Sequence, residues 1–451
     1  MPGLRRRLFS PVDIAPLVFF RITFGALMAM EVLGCAARGL VRDNWIRPEI
    51  HFTYFGFGWI QPPPDNWTYG LVAAVSVAAI GIMFGAFYRL SAAVFAVGFT
   101  WFYLIEQSQY LNHFYLISLL GFVAFAIPAH RAFSIDARRK PELPASTAPT
   151  WSLWLLQAHI AIAYFFGGVA KLNRDWLRGE PVRTWLESGS LGKKLGPMFQ
   201  NEFCAFAISY SGLLIDLLVV PFLLWKKTRL AALIVAIAFH LSNAYLFDIG
   251  VFPFLSIAMT CLFLEPAWHR KLLRLGRPSE PTPLYWKNSR VVVSLLCVYM
   301  TYHLFMPFRH LFYPGSSHWS EEGHRYSWHM MLRTKNGRAY FIVDDRTTGR
   351  LWKVRPEEYL SQRQFTKMAV HPEMLWQFAK YLREKWGPND VKVHAIAWVR
   401  LNDHKPALLV DPEVDLSKEE LSLKSSKWIL PLENDRIPPR RFSAAHPAPK
   451  K

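Results

Sequence analysis

Ser152-Leu-Trp-Leu-Leu-Gln-Ala-His159-Ile-Ala-Ile-Ala-Tyr164-Phe-Phe-Gly-Gly-Val-Ala-Lys171 carries no acidic or basic side chain other than a histidine until its closing lysine. A run of this length crosses the hydrocarbon core of a bilayer, which takes about 20 helical residues. Leu172-Asn-Arg-Asp-Trp176 then breaks into polar sequence. The stem of Lys171 therefore lies along the apolar end of a helix with its amine near a boundary, where withdrawal from water favours the neutral form of an ammonium. A lysine that merely snorkels to the interface is the competing reading, and the company it keeps decides between them.

Similar runs recur. Nine stretches read as spans: 14–37, 67–87, 90–106, 112–127, 152–170, 203–225, 230–247, 251–264 and 291–308, the eighth short enough to be re-entrant. The fold class is mainly α, a polytopic membrane helical bundle of about nine spans carrying a C-terminal extramembrane α+β domain. Composition agrees: of 451 residues 52% are hydrophobic, with 18 Trp and 34 Phe, rich for a soluble domain. The net charge of +19 comes with no basic helix and no aromatic RNA motif, so nucleic acid is not its partner. Basic residues between spans account for it, and the partner they imply is the lipid bilayer.

Cys35, Cys204, Cys261 and Cys297 lie in or beside apolar runs without CxxC spacing, which predicts buried thiols rather than zinc ligands or a disulfide framework. Arg5, Arg6 and Arg7 precede a first apolar run that continues to Ala37, read as a retained anchor. With a cytoplasmic N-terminus, the inner side gathers those arginines with Arg89, Arg131, Arg138 to Lys140 and Lys226 to Arg229. That satisfies the positive-inside rule and puts the C-terminal domain outside the cytoplasm, in a periplasm or an ER lumen.

On this map the intramembrane polar residues fall at one depth. Lys171 ends the fifth span, Asn112 and His113 start the fourth, His240 lies in the outer half of the seventh and Glu31 in that of the first. Each costs free energy in lipid unless partnered, so their convergence predicts a site. A lone intramembrane histidine more often packs than catalyses, and Arg21 reads as structural pairing. A transporter or scaffold remains the alternative from another class, although paired internal repeats with broken helices are not evident.

Beyond Phe308 the pattern alternates. Residues 325–333, 338–343 and 350–354 read as strands with turns at 335–337 and 347–349, then a helix over 372–385 and strands at 391–401 and 407–410. The division predicted is 1–312 for the transmembrane catalytic domain, 313–432 for the extracytoplasmic α+β domain and 433–451 for a disordered basic tail.

These motifs resemble the vitamin K-dependent gamma-glutamyl carboxylase family, whose core is also called the horizontally transferred transmembrane domain. The resemblance rests on Phe20-Arg21-Ile-Thr-Phe-Gly25, Leu111-Asn112-His113-Phe-Tyr-Leu116, the segment Tyr164 to Trp176, and Phe239-His240-Leu-Ser-Asn243. It continues through Phe247-Asp-Ile-Gly-Val-Phe252, Tyr326-Ser-Trp-His-Met-Met331 and Val410-Asp-Pro-Glu-Val-Asp415, seven motifs in one order.

The resemblance implies gamma-carboxylation of protein glutamate with vitamin K hydroquinone, O2 and CO2, coupled to quinone epoxidation, without a metal. It implies that Lys171 deprotonates the hydroquinone, that His113 and His240 are catalytic, and that Asn112, Trp328, Met330 and Met331 contact the quinone. A glutamate-containing protein or peptide is the implied substrate, and a quinone reductase the functional partner. A quinol oxygenase that forms the epoxide without carboxylation is the alternative within enzymes. Two positions depart from the family: Ala170 stands beside Lys171 where animal enzymes have a second lysine, and His329 replaces an acid.

Overall fold

The computed structural model describes residues 2–140, 142, 145–276, 289–387 and 390–432. The expected tail over 433–451 lies outside the described residues. All nine apolar runs are helical: α1 (Ala15–Ala37), α2 (Asp65–Phe84), α3 (Tyr88–Ile105), α4 (Asn112–Ala126), α5 (Thr150–Ala170), α6 (Glu202–Leu224), α7 (Arg229–Leu246), α8 (Phe252–Cys261) and α9 (Ser289–Phe305). Seven are long and apolar enough to cross a membrane, whereas α4 has 15 residues and α8 only 10. At 1.5 Å per residue α8 rises about 15 Å, half a hydrocarbon core, so the expected short eighth stretch is short indeed, and the fourth is short as well.

The chain's packing gathers it into two compact units: Met1–Arg47, Gly56–Phe165 and Ile215–Met306 in one, and Pro48–Phe55, Phe166–Leu214 and the chain from Pro307 in the other.

In the first unit a small antiparallel pair, β1 (Pro11–Asp13) and β2 (Thr147–Pro149), joins the start of α1 to the start of α5, with Val12 opposite Ala148. α1 and α2 pack closely because Gly25 has no side chain. A Cβ there would lie 2.6 Å from Met83 Cα and 2.8 Å from the Ala79 carbonyl oxygen. Buried Arg21 donates to the carbonyls of Ile82 (3.3 Å), Met83 (2.6 Å) and Phe133 (2.5 Å), which are the acceptors that make its burial affordable. Cys261 alone is buried; Cys35 and Cys204 are half-buried and Cys297 is exposed. The expectation of four buried thiols fails because a span's apolar face can look outward, so an apolar run is not by itself an interior.

The second unit holds a four-stranded antiparallel sheet in the order β4-β3-β5-β6, from β3 (Lys335–Asp345), β4 (Arg350–Val354), β5 (Val391–Leu401) and β6 (Ala407–Leu408). Alternate residues of β5 are buried, the period-2 pattern of a half-buried strand. The helix α10 (Pro372–Lys385) contributes Leu375, Phe378 and Leu382 to the core with Phe341 and Val393. Phe52, from the segment after α1, is fully buried in the same core. Its neighbour Thr53 exchanges two 2.8 Å hydrogen bonds with the side chain of Gln377.

Two strand expectations are corrected. Residues 325–333 form turns, because Tyr326, Trp328 and Met331 take positive φ of 65°, 58° and 52°, outside the extended region. Lys335, Asn336 and Gly337 are not a turn but the start of β3, paired with Leu401, Arg400 and Val399.

Candidate functional site

In the first unit Leu111 is extended, so α4 begins at Asn112. The Tyr110 hydroxyl donates to Asn112 Oδ1 at 3.0 Å and holds that amide at the helix start. His113, one residue on, is buried and stacks on Phe252, with ring centroids 5.3 Å apart and planes at 22°. His240 of α7 meets the same Phe252 ring edge-on at 6.2 Å. The two predicted histidines are thus brought to one aromatic ring. The Tyr164 hydroxyl lies 2.5 Å from His240 Nε2, and 3.4 Å from Thr260 Oγ1. His240 Nδ1 is buried and has no hydrogen-bond partner among the described residues. Glu31 is half-buried beside Gly250, where a Cβ would lie 3.7 Å from its carboxylate.

Lys171 belongs to the second unit. It sits one residue past α5, only 6% exposed, with Nζ 3.3 Å from the Gly167 carbonyl and 5.1 Å from the centre of the Trp176 ring. The indole is fixed by its own bond from Nε1 to the Ser209 carbonyl at 2.9 Å. Gly212 is the neighbour on the facing helix, 3.9 Å from Lys171 Cε if a Cβ is added. The Lys171 amine nitrogen lies over the indole face within the distance of a cation–π contact.

The turn after Lys171 is tied down. Asn173 accepts from the Trp176 amide at 3.0 Å, capping the short helix Arg174–Leu177. Asp175 accepts from Asn402 Nδ2 at 2.6 Å and lies 3.5 Å from His404 Nε2. Burial alone would raise Asp175, but the hydrogen bonds from His404 and Asn402 hold it below its usual value. His404 is raised in turn, chiefly by its hydrogen bond to Asp175.

Trp328, Met330 and Met331 lie in the 321–333 turns of the second unit; Trp328 is buried, Met330 half-buried and Met331 exposed. Nothing local in the chain marks what surrounds them. The His329 ring is 4.7 Å from that of His310, 5.0 Å from His324 and 5.3 Å from His318. Buried Glu321 anchors this cluster, 2.6 Å from Arg333 and 3.0 Å from Lys335, with His371 and His324 at 3.7 and 3.8 Å. Burial would raise the Glu321 carboxyl, but Arg333 and Lys335 hold it well below the usual range. Burial pushes His329 down to about 2 and His318 to about 4, so both are neutral at pH 7. Lys335 falls to about 8, burial outweighing the pull of Glu321. Among the described residues no group of three or more His, Cys, Asp or Glu is arranged to hold a metal ion.

Sequence reasoning missed Tyr164 as a partner of His240, although it opens the motif around Lys171. It also missed Glu321 and its histidines, which only the turns of 321–333 bring together.

The family model of the HTTM domain matches residues 9–268, and that of the vitamin K-dependent gamma-carboxylase lumenal domain matches residues 288–435. The chain belongs to the vitamin K-dependent gamma-carboxylase family. The two matches run in the same order as the seven motifs and cover most of the chain. No solved structure matches it.

Proposed function

We propose that the protein carries out vitamin K hydroquinone-dependent gamma-carboxylation of glutamate side chains, using CO2 and converting the hydroquinone and O2 into the quinone epoxide and water. The observation that carries this reading is Lys171, a buried amine at the end of an apolar helix, over an indole and beside a helix carbonyl. An amine so buried and so fixed is placed to take a proton from a hydroquinone hydroxyl, the role of a positioned general base.

The residues fit the ring they would hold. Phe252 and the stacked His113 offer a flat apolar face, and His240 Nδ1 is a buried imidazole nitrogen left without a partner. In the tautomer whose Nε2 accepts from Tyr164, His240 carries its proton on Nδ1, where it can meet developing negative charge. Asn112, Trp328, Met330 and Met331 are the quinone contacts that the family resemblance implies, the unbranched methionines suiting an isoprenoid chain. When bound, the hydroquinone supplies, with O2, a base strong enough to take the γ-proton of glutamate.

The N-terminus faces the cytoplasm and the C-terminal unit the opposite side, which the basic inner loops and the lumenal-domain match support. The substrate is a glutamate-containing protein or peptide, and a quinone reductase regenerates the hydroquinone.

The test uses purified protein in detergent with reduced vitamin K, O2, labelled bicarbonate and a glutamate-containing peptide, with Lys171→Ala and Lys171→Arg alongside. Epoxide and fixed label are followed together, and folding is checked by thermal unfolding. Both products from the wild type and neither from folded Lys171 variants are expected. Epoxide without fixed label would replace carboxylation by oxygenation alone, and a fully active Lys171→Arg would make Lys171 an interfacial lysine.

A further inference from the structure

The up-and-down path of the first unit brings the start of α1, the α2–α3 turn, the segment after α4, the start of α5 and the short helix Pro266–Leu273 to one end of the bundle. This end is strongly basic, with Arg89, Arg131, Arg138, Arg139, Lys140 and Arg270. Phe87, Phe133, Trp225 and Leu272 are exposed at it, large apolar side chains of the kind that anchor a protein at the membrane–water boundary.

Between these elements lies a cavity of about 440 Å³ lined by Arg131, Arg138, Arg270, Phe133, Ser134 and Leu275 among others. Two carboxylates at this end, Asp13 and Asp136, are already engaged. Asp13 takes Arg270 Nε at 2.6 Å on one oxygen and the Ala15 amide at 2.9 Å on the other. Asp136 accepts from the amides of Phe87 and Tyr88, each at 2.8 Å, and so caps the start of α3. Arg138 is exposed, and its side chain makes no ion pair among the described residues. The cavity therefore presents the guanidinium charge of exposed Arg138 beside those of Arg131 and Arg270, at an end of the bundle rimmed by exposed aromatic side chains.

We propose that this cavity binds a phosphate group, with Arg131 and Arg138 as its main donors and Arg270, braced by Asp13, behind them. Planar guanidinium forks match phosphate oxygens in pairs. Basic pockets at the cytoplasmic ends of membrane helices take anionic lipid headgroups, and the exposed aromatic rim places a lipid's phosphodiester within reach.

The test is made on the full chain, stripped of lipid in detergent. Phosphatidylglycerol, phosphatidylcholine and inorganic phosphate are titrated separately, and bound lipid is counted by native mass spectrometry. Variants are Arg138→Ala, Arg131→Ala and their double, with Lys226→Ala at the same end but outside the cavity as control. Because Arg138 is exposed, its variant folds and keeps the test decisive. Phosphatidylglycerol binding that weakens about tenfold or more in each arginine variant, and not in the control, is the expected result. A site filled by phosphatidylglycerol alone takes a lipid headgroup, and one filled equally by inorganic phosphate takes the free anion. Phosphatidylcholine binding as tightly as phosphatidylglycerol with no phosphate effect, or arginine variants that bind like the wild type, would overturn the proposal.

Discussion

The Tyr164 hydroxyl lies 2.5 Å from His240 Nε2, and the opposite nitrogen of that imidazole is buried with no partner among the described residues. One ring nitrogen is thereby committed and the other left to act. Tyr164→Phe removes the committed bond and frees the ring to take either tautomer. We expect kcat for epoxide formation to fall about tenfold with a smaller change in KM, and stability to drop by about 1–3 kcal/mol. A double-mutant cycle with His240→Phe should be non-additive by about 1 kcal/mol or more. Additive losses would mean that the two residues act separately.

Four residues after Lys171, Asp175 is bound by Asn402 and faced by His404. His404 is raised by its hydrogen bond to Asp175, so its contribution is fully present below its unfolded value near 6.5 and is lost as pH rises through its folded value. Asp175 is held low despite its burial, so its contribution is present above about 3.8 and is lost as pH falls through its folded value. The pair is strongest between those limits. Melting curves of wild type and His404→Gln should differ most near pH 5–6 and converge by pH 9. Because both groups are partly exposed, the difference is about 0.5–1 kcal/mol. A gap that widens above pH 8 would contradict this assignment.

Glu321 is, among the described residues, the acid that Arg333, Lys335, His371 and His324 face, and its carboxylate is nearly closed off from water. Glu321→Gln leaves two buried cations without their counter-charge. The expected loss is about 3–5 kcal/mol, seen as a lower denaturation midpoint at pH 7. Raising the pH through the wild-type Lys335 value of about 8 should narrow the gap between the two proteins, because a neutral Lys335 gains less from Glu321 in the wild type. A variant as stable as the wild type at pH 7 would mean that water reaches the cluster.

Much of the fold was legible because spans and half-buried strands write their periods into the sequence: all nine apolar runs are helices, and α10 and β5 keep the limits expected of them. What was not legible depended on contacts far apart in the chain. Nothing local marks Phe52, in a loop between two spans, as core of the α+β unit, or ties Asp175 to Asn402. The 325–333 segment alternates like a strand, yet Tyr326, Trp328 and Met331 adopt left-handed backbone, which tertiary context imposes against propensity. At the site, His113 and His240 were legible as intramembrane polar residues. The ring they share, Phe252, closes one of the seven motifs, but nothing in its local sequence marks it as the contact of both histidines.

Arg21 shows how a buried charge is held without a carboxylate. Its guanidinium reaches the carbonyls of Ile82 and Met83 at the end of α2 and that of Phe133 beyond α4. The turn that follows α2 depends on Gly85, whose φ is 63° and where a Cβ would lie 2.8 Å from Arg21 Nη1. Arg21→Met keeps the volume but takes the guanidinium donor from the Met83 and Phe133 carbonyls, while Ile82 keeps its bond from the Gly85 amide, and should cost about 3 kcal/mol or more. Arg21→Lys keeps the charge on a single point that cannot reach oxygens in two directions, so it should recover less than half of that loss. Thermal unfolding of the purified variants gives the ranking, and epoxide formed per folded molecule should stay at the wild-type level in both. A Lys variant as stable as the wild type would show that charge, rather than the fork, is what the three carbonyls require.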